Sequence, residues 1–131
     1  MATYTRFEEL EIWQESRRLS LQVFNMTATG NVGKDFRFRD QIRSAAGSVM
    51  DNIAEGFERS SRLEFVNFLS FSKGSCGEVR SQIYRAIDQQ YFTEEPSKIL
   101  LNDYEKLAAK IAGFIAYLNK SAISGQKFKD R

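Results

Sequence analysis

Few residues of this chain can do chemistry, and their spacing narrows the choice further. Asp51 and Glu55 stand four residues apart, the interval that puts two carboxylates on one helix face, and Glu78 is placed where a neighbouring helix would let it face Glu55. Such carboxylates bind a divalent cation or move protons. Alternatively, Asn52, Glu55 and Glu78 form a buried polar network or cap neighbouring helix ends. With no nucleophile or substrate cleft in view, the structural role is the expectation. Histidine is absent, which excludes Ser-His-Asp and Cys-His catalysis, histidine-bearing zinc sites and the Glu-x-x-His pairs of di-iron bundles. The single cysteine, Cys76, can form neither an internal disulfide nor a thiolate zinc site, and in its apolar stretch it reads as a small buried hydrophobe. Gly74-Ser-Cys-Gly77 lies mid-helix rather than after a strand, so no phosphate loop is formed. No metal, cofactor or catalytic residue is expected, and the chain reads as a non-enzyme.

The basic residues carry more information. Eleven of the 19 are arginine, and ten of those precede residue 92, where only Lys34 and Lys73 accompany them; beyond it stand six lysines and Arg131. Arginine's planar fork suits phosphate and buried ion pairs, whereas lysine is the better-hydrated surface charge. Lys34, Arg37, Arg39 and Arg43 cluster with Phe36 and Phe38 between them, Arg59 and Arg62 flank a turn, and Lys73 and Arg80 share a helical stripe. These eight are the candidate nucleic-acid-binding residues, gripping backbone phosphates with little sequence reading. Ion pairing with Asp35, Asp40, Asp51 and Glu58, which lie among them, is the competing account, and composition does not separate the two.

These side chains need a scaffold. A length of 131 residues, 42% hydrophobic and 13% aromatic, suits one globular core. Apolar residues recur at helical spacing in four segments. The first, about Phe7 to Ala28, carries a stripe of Leu10, Trp13, Leu21 and Phe24, with Ile12, Leu19, Val23 and Met26 beside it. Thr29 to Gly33 reads as a connecting loop. The second starts near Asp35 and repeats Phe38, Ile42, Ala45, Ala46, Val49, Ile53 and Phe57, with Gly56 just inside its end. The third opens on Ser61-Arg-Leu-Glu64, a capping-box spacing, and continues to about Tyr91. The fourth follows Thr93-Glu-Glu-Pro96, with Ile99 or Leu100, Tyr104, Leu107, Ile111, Phe114, Ile115 and Leu118 inward. Short connections make sequential helices antiparallel, so the predicted fold is all-α, an antiparallel up-down-up-down four-helix bundle over residues 1–120, with a flexible basic tail at 121–131.

Two features depart from a simple bundle. Leu63, Phe65, Val66, Phe68, Leu69 and Phe71 surround the third helix on every side, so that turn needs a second cover. Leu63, Phe65, Val66, Phe68 and Phe71 are therefore the candidate oligomer interface. Small residues, Ala45 to Ser48 and Gly74 to Gly77, suggest a close helix crossing.

Asp40-Gln-Ile-Arg-Ser-Ala-Ala-Gly-Ser-Val-Met-Asp-Asn-Ile-Ala-Glu-Gly-Phe57, followed by Arg59, resembles the signature of the bacterial four-helix bundle proteins encoded in intervening sequences of 23S rRNA genes. Phe7 to Trp13, the Glu-Phe-x-x-Phe-Leu element ending at Leu69, and Gly74-Ser75 with Glu78 are similar to further elements of that family, and the resemblance covers roughly Phe7 to Leu118. It implies a ring-like homopentamer, and the similar accessory protein of diversity-generating retroelements binds nucleic acid and a reverse transcriptase through a basic surface. On this resemblance Asn52, Glu55, Gly56, Gly74, Ser75 and Glu78 are structural. The chain departs from the family where Gly30-Asn-Val-Gly33 stands in place of a proline common among members.

The expected partners are a second copy of the chain, RNA or DNA, or a nucleic-acid-processing protein; the alternative is a structural or protein-interaction module without nucleic acid. No membrane partner is expected, since the longest apolar run, Ile111 to Leu118, falls far short of the roughly 20 residues a bilayer requires. With no signal-peptide pattern at the N-terminus, a cytoplasmic location is expected.

Overall fold

The computed structural model describes residues 4–123, and the four predicted helical segments form a four-helix bundle. The long helices are α1 (Glu11–Met26), α3 (Phe36–Glu58), α4 (Arg62–Asp88) and α5 (Glu94–Ile123), with a short α2 (Gly30–Lys34) between the first two. Each packs on its sequential neighbour and α5 closes back on α1, so the order around the bundle is α1, α3, α4, α5. No strand occurs among the described residues.

Helical period decides the core. Ile12, Leu19 and Val23 of α1 turn inward with Ile42, Val49 and Ile53 of α3, Leu69, Val79 and Ile83 of α4, and Leu100, Leu107, Ile111 and Leu118 of α5. Of the two apolar stripes on the first segment, the one holding Leu21 and Phe24 is outside at those two residues, while Leu10 is buried just before the helix and Trp13 packs partly buried against the core. Polar contacts close the seams. Ser72 Oγ donates to the Val49 carbonyl at 2.6 Å between α4 and α3, Arg18 meets Asp103 at 3.4 Å between α1 and α5, and Arg62 donates to Asn119 at 3.0 Å between α4 and α5.

Several boundaries differ from the sequence expectation, each for a local reason. Phe7–Glu9 forms a separate 3₁₀ turn because the Glu9 carboxylate accepts the Thr5 N–H at 2.9 Å, and Leu10 then adopts an extended conformation before α1. The expected loop at 29–33 holds α2: Gly30 takes a φ of +75°, and Val32, 3% exposed, pins the turn to the core. Asp35 then caps α3, its Oδ1 accepting the Phe38 N–H at 3.1 Å. At α4, Ser61 Oγ accepts the Glu64 N–H at 3.1 Å, but the Glu64 carboxylate turns to the Ser61 hydroxyl and Arg59 rather than back to the backbone. Helix α4 ends at Asp88, earlier than Tyr91, because Gln90 enters the left-handed region at φ 62° and the Tyr91 N–H bonds the Ala86 carbonyl at 2.8 Å. Helix α5 reaches Ile123, into the segment assigned to the tail, whose remainder, 124–131, lies outside the described residues.

The close crossing also sits elsewhere. A Cβ added at Gly47, Gly74 or Gly77 would meet nothing within 4 Å, so these glycines do not bring helices together. Gly56 does: a Cβ there would lie 2.6 Å from Phe68 Cβ and 3.0 Å from Phe65 Cδ1, where α3 turns back into α4. Small size matters at this turn rather than along the middle of α4.

Candidate nucleic-acid interface

The structure disperses the eight basic candidates over three places. Lys34 at the end of α2 and Arg37, Arg39 and Arg43 at the start of α3 lie beside the end of α1; Arg59 and Arg62 lie at the opposite end, by the α3–α4 turn; Lys73 and Arg80 lie on α4, where Arg80 faces α5. Most are engaged within the protomer. Arg39 pairs with Asp40 at 3.0 Å and donates to the Gly33 carbonyl at 3.4 Å. Arg59 pairs with Glu55 at 3.0 Å, Arg80 with Glu105 at 3.4 Å, and Arg62 bonds Asn119. Arg43 Nε donates to Thr27 Oγ1 at 2.8 Å, tying α3 to α1. Lys34, Arg37 and Lys73 are exposed and make no ion pair among the described residues.

Rings order these arginines as much as carboxylates do. Arg43 stacks over Phe24 with its guanidinium carbon 4.1 Å from the ring centroid, Arg39 over Phe36 at 4.8 Å, and Arg59 over Phe68 at 4.9 Å. Arg17 over Trp13 and Arg85 over Phe38, at 5.7 and 5.3 Å, are further members absent from the sequence-based set. Arg17 lies at i+4 from Trp13, a spacing visible in the sequence; Arg85 and Phe38 lie on different helices, so no local pattern joins them.

The Asp35 carboxyl sits beneath the α3 start, and its Oδ2 accepts the Tyr91 hydroxyl at 2.5 Å. That hydrogen bond, then the Phe38 N–H, and the nearby Arg85 charge hold the Asp35 carboxyl below its ordinary range and push the Tyr91 phenol up. A polar groove of about 500 Å³ runs between α3 and α4, lined by Asp40, Gln41, Ser44, Glu78, Ser81, Gln82 and Arg85. It contains no serine–base pair or thiolate: Cys76 is buried, and burial pushes its thiol up to about 12.

The two carboxylates proposed to face one another do not. Glu55 lies by the α3–α4 turn with Arg59, and Glu78 lies beyond Ser72 with Gln82 Nε2 at 3.4 Å; both are exposed. Asn52 donates to the Ser48 carbonyl of its own helix at 2.8 Å. Ser75 is half-buried and Gly74 exposed on α4.

The interface set divides by direction. Phe65, 2% exposed, turns inward and packs edge-on to Phe57 with ring centroids 5.8 Å apart; Val66 lies partly buried against the core. Phe68 is half-buried under Arg59 and edge-on to Phe71 at 5.9 Å. Leu63 and Phe71 remain in solvent, 62% and 54% exposed, and Tyr84 further along α4 joins them at 54%. Tyr84 lies beyond the apolar run that drew attention to this helix.

Fold and site together define a class: an all-helical bundle that carries arginines stacked on aromatic rings at its surface. The family model for the 23S rRNA-intervening sequence protein matches residues 8–113, and the chain belongs to that family. A crystal structure of a protein of unknown function from the S23 ribosomal protein family, from Bacteroides thetaiotaomicron VPI-5482, superposes with a TM-score of 0.74 at 23% identity, covering 80% of this chain and 95% of that one, a likeness of fold. No curated protein matches the chain. Neither family nor neighbour names a catalytic activity, and among the described residues no helix is long and apolar enough to cross a membrane.

Proposed function

We propose that the protein is a non-enzymatic homo-oligomer, five-membered on the family resemblance, that binds RNA or DNA, or an enzyme acting on them, through the basic start of α3. The observation that carries this reading is the state of that surface: Lys34 and Arg37 project into solvent with no carboxylate partner among the described residues, beside Arg39 and Arg43 held in place by rings. Phosphate contacts made by such cations release counterions, so binding weakens steeply with salt. Assembly is assigned to the outer face of α4, where Leu63, Phe71 and Tyr84 stand exposed around the uncovered Gly74 and Gly77.

The test is a titration of labelled structured RNA at two salt concentrations. Salt-weakened binding that drops in Lys34→Glu/Arg37→Glu supports the reading; no binding at low salt, or binding indifferent to salt, overturns it. The Arg39–Asp40, Arg59–Glu55 and Arg80–Glu105 pairs favour a second reading, a structural or protein-interaction module that spends these arginines on its own stability. On that reading the same charge reversal leaves partner binding intact.

A further inference from the structure

Three of the arginine–ring stacks fall along one seam of the bundle. Arg17 covers Trp13 on α1; near the end of that helix Arg43 reaches across from α3 onto Phe24; one turn earlier in α3, Arg39 covers Phe36. Significant stacks of this kind occur about once per 70–80 residues, so three in one line call for an account. The line follows from two helical repeats. Trp13, Arg17, Leu21 and Phe24 share one stripe of α1, and Phe36, Arg39 and Arg43 share one stripe of α3. Because α1 and α3 are antiparallel neighbours joined at Arg43–Thr27, the second stripe continues the first toward the bundle end. The whole row extends about 25 Å at 1.5 Å per helical residue.

Trp13 packs partly against the core, but the core does not explain the side chains that follow it in the row. Phe24 is 49% exposed and Phe36 63%, so these two rings keep surface in water beside a guanidinium, and the Leu21 side chain between Trp13 and Phe24 is 60% exposed. Arg17 and Arg43 make no ion pair among the described residues; Asp40 is the acid paired within the row, to Arg39. Lys34 and Arg37 extend the positive charge past its end.

We infer that this α1–α3 seam binds single-stranded nucleic acid, its bases stacked on the exposed rings and guanidinium planes and its phosphates held by the intervening arginines. The inference rests on the nucleic-acid reading above and narrows it. Unpaired bases offer ring faces, whereas a duplex hides them and presents mainly phosphate. A row of this length holds a short run of unpaired nucleotides, within the roughly 4–16 that single-strand sites track. Charge also argues against a second copy docking seam to seam, since like guanidinium rows would then oppose one another.

Anisotropy titrations of the full chain with labelled oligouridylate and oligothymidylate of about ten nucleotides, and with a duplex of matching length, test this. The single strands, or the RNA strand alone, should bind more tightly than the duplex. Phe24→Ala/Phe36→Ala should weaken single-strand binding about tenfold or more while changing duplex binding less than about twofold. Equal losses on both probes, or no loss, overturn the seam while leaving salt-sensitive binding standing. No binding of any probe at low salt removes the parent reading as well. A lower assembly mass in the double variant with binding unchanged makes the seam a contact between copies instead and overturns it. Phe36→Trp gives a second readout at an exposed position: its emission, corrected for Trp13, should change on adding single strand, and constant emission under proven binding counts against stacking.

Discussion

Asp35 joins three parts of the chain through one carboxylate. It caps α3 through the Phe38 N–H and holds Tyr91, which follows α4, by its hydroxyl. Its pKa in the fold lies below the ordinary value, chiefly through the Tyr91 hydrogen bond, so the ionised form is the one the fold favours. The stabilisation is therefore complete above the unfolded-state value of about 4 and is lost as pH falls through the lower folded value. Thermal melts followed by circular dichroism should lose midpoint on acidification below about pH 4, less steeply in Asp35→Asn, which keeps a capping oxygen without the charge. Glu9 and Glu15 are depressed as well, by the Thr5 N–H and by Arg18, so the slope should shrink and not vanish. An unchanged slope would remove Asp35 from this role. Gly56 gives a steric test at the same scale. A methyl group there lands 2.6 Å from Phe68 Cβ, which is no flexible side-chain tip, so Gly56→Ala should cost about 1–3 kcal/mol in denaturant unfolding. A neutral result would mean that the α3–α4 turn opens freely.

Helix α4 is the least amphipathic of the long helices, because Leu63 to Phe71 place apolar side chains on every side of its start. Gly74 and Gly77 sit in a helix interior with nothing near a prospective Cβ, so alanine at both should stabilise the isolated protomer by about 1 kcal/mol each. If this face packs against another copy, the same change should raise the protomer's melting temperature and weaken assembly. A stabilised variant with unaltered assembly mass would move the interface off the glycines. The sequence reached α3, α4 and α5 to within a few residues because long apolar stripes dominate there. It overran the start of α1 and missed α2, since a single buried Val32 in a five-residue helix leaves no period to detect. It recognised Leu63–Phe71 as apolar on every side, but not that Phe65 points in and Phe71 out, because helix rotation is set by the partner helices. The stacked seam was legible in part: Arg17 and Trp13 share a stripe, whereas Phe24 and Arg43 meet only once α1 and α3 are packed.

The 19 basic and 17 acidic residues do not by themselves make a nucleic-acid-binding molecule. Lys120, Lys127, Lys129 and Arg131 against Asp130 account for the positive excess, leaving residues 1–119 with 15 basic and 16 acidic groups. A chain this close to neutral gains little from its overall field, so on the proposed reading affinity would come from local arrangement repeated by assembly. Linked copies of a weak site bind a long strand more tightly than either site alone, by about 10²–10⁴ where geometry lets them engage together. Leu63→Asp/Phe71→Asp separates the two contributions. Both side chains are more than half exposed, so the protomer should stay folded while its assembly dissolves. Light scattering at micromolar concentration should give a multiple of 15.1 kDa for the natural chain and a single protomer for the variant. The variant should then retain salt-sensitive binding to a short oligonucleotide but lose about a hundredfold or more on a long one. A natural chain that is already monomeric ends the assembly argument, and equal affinities on the long strand end the argument from repetition.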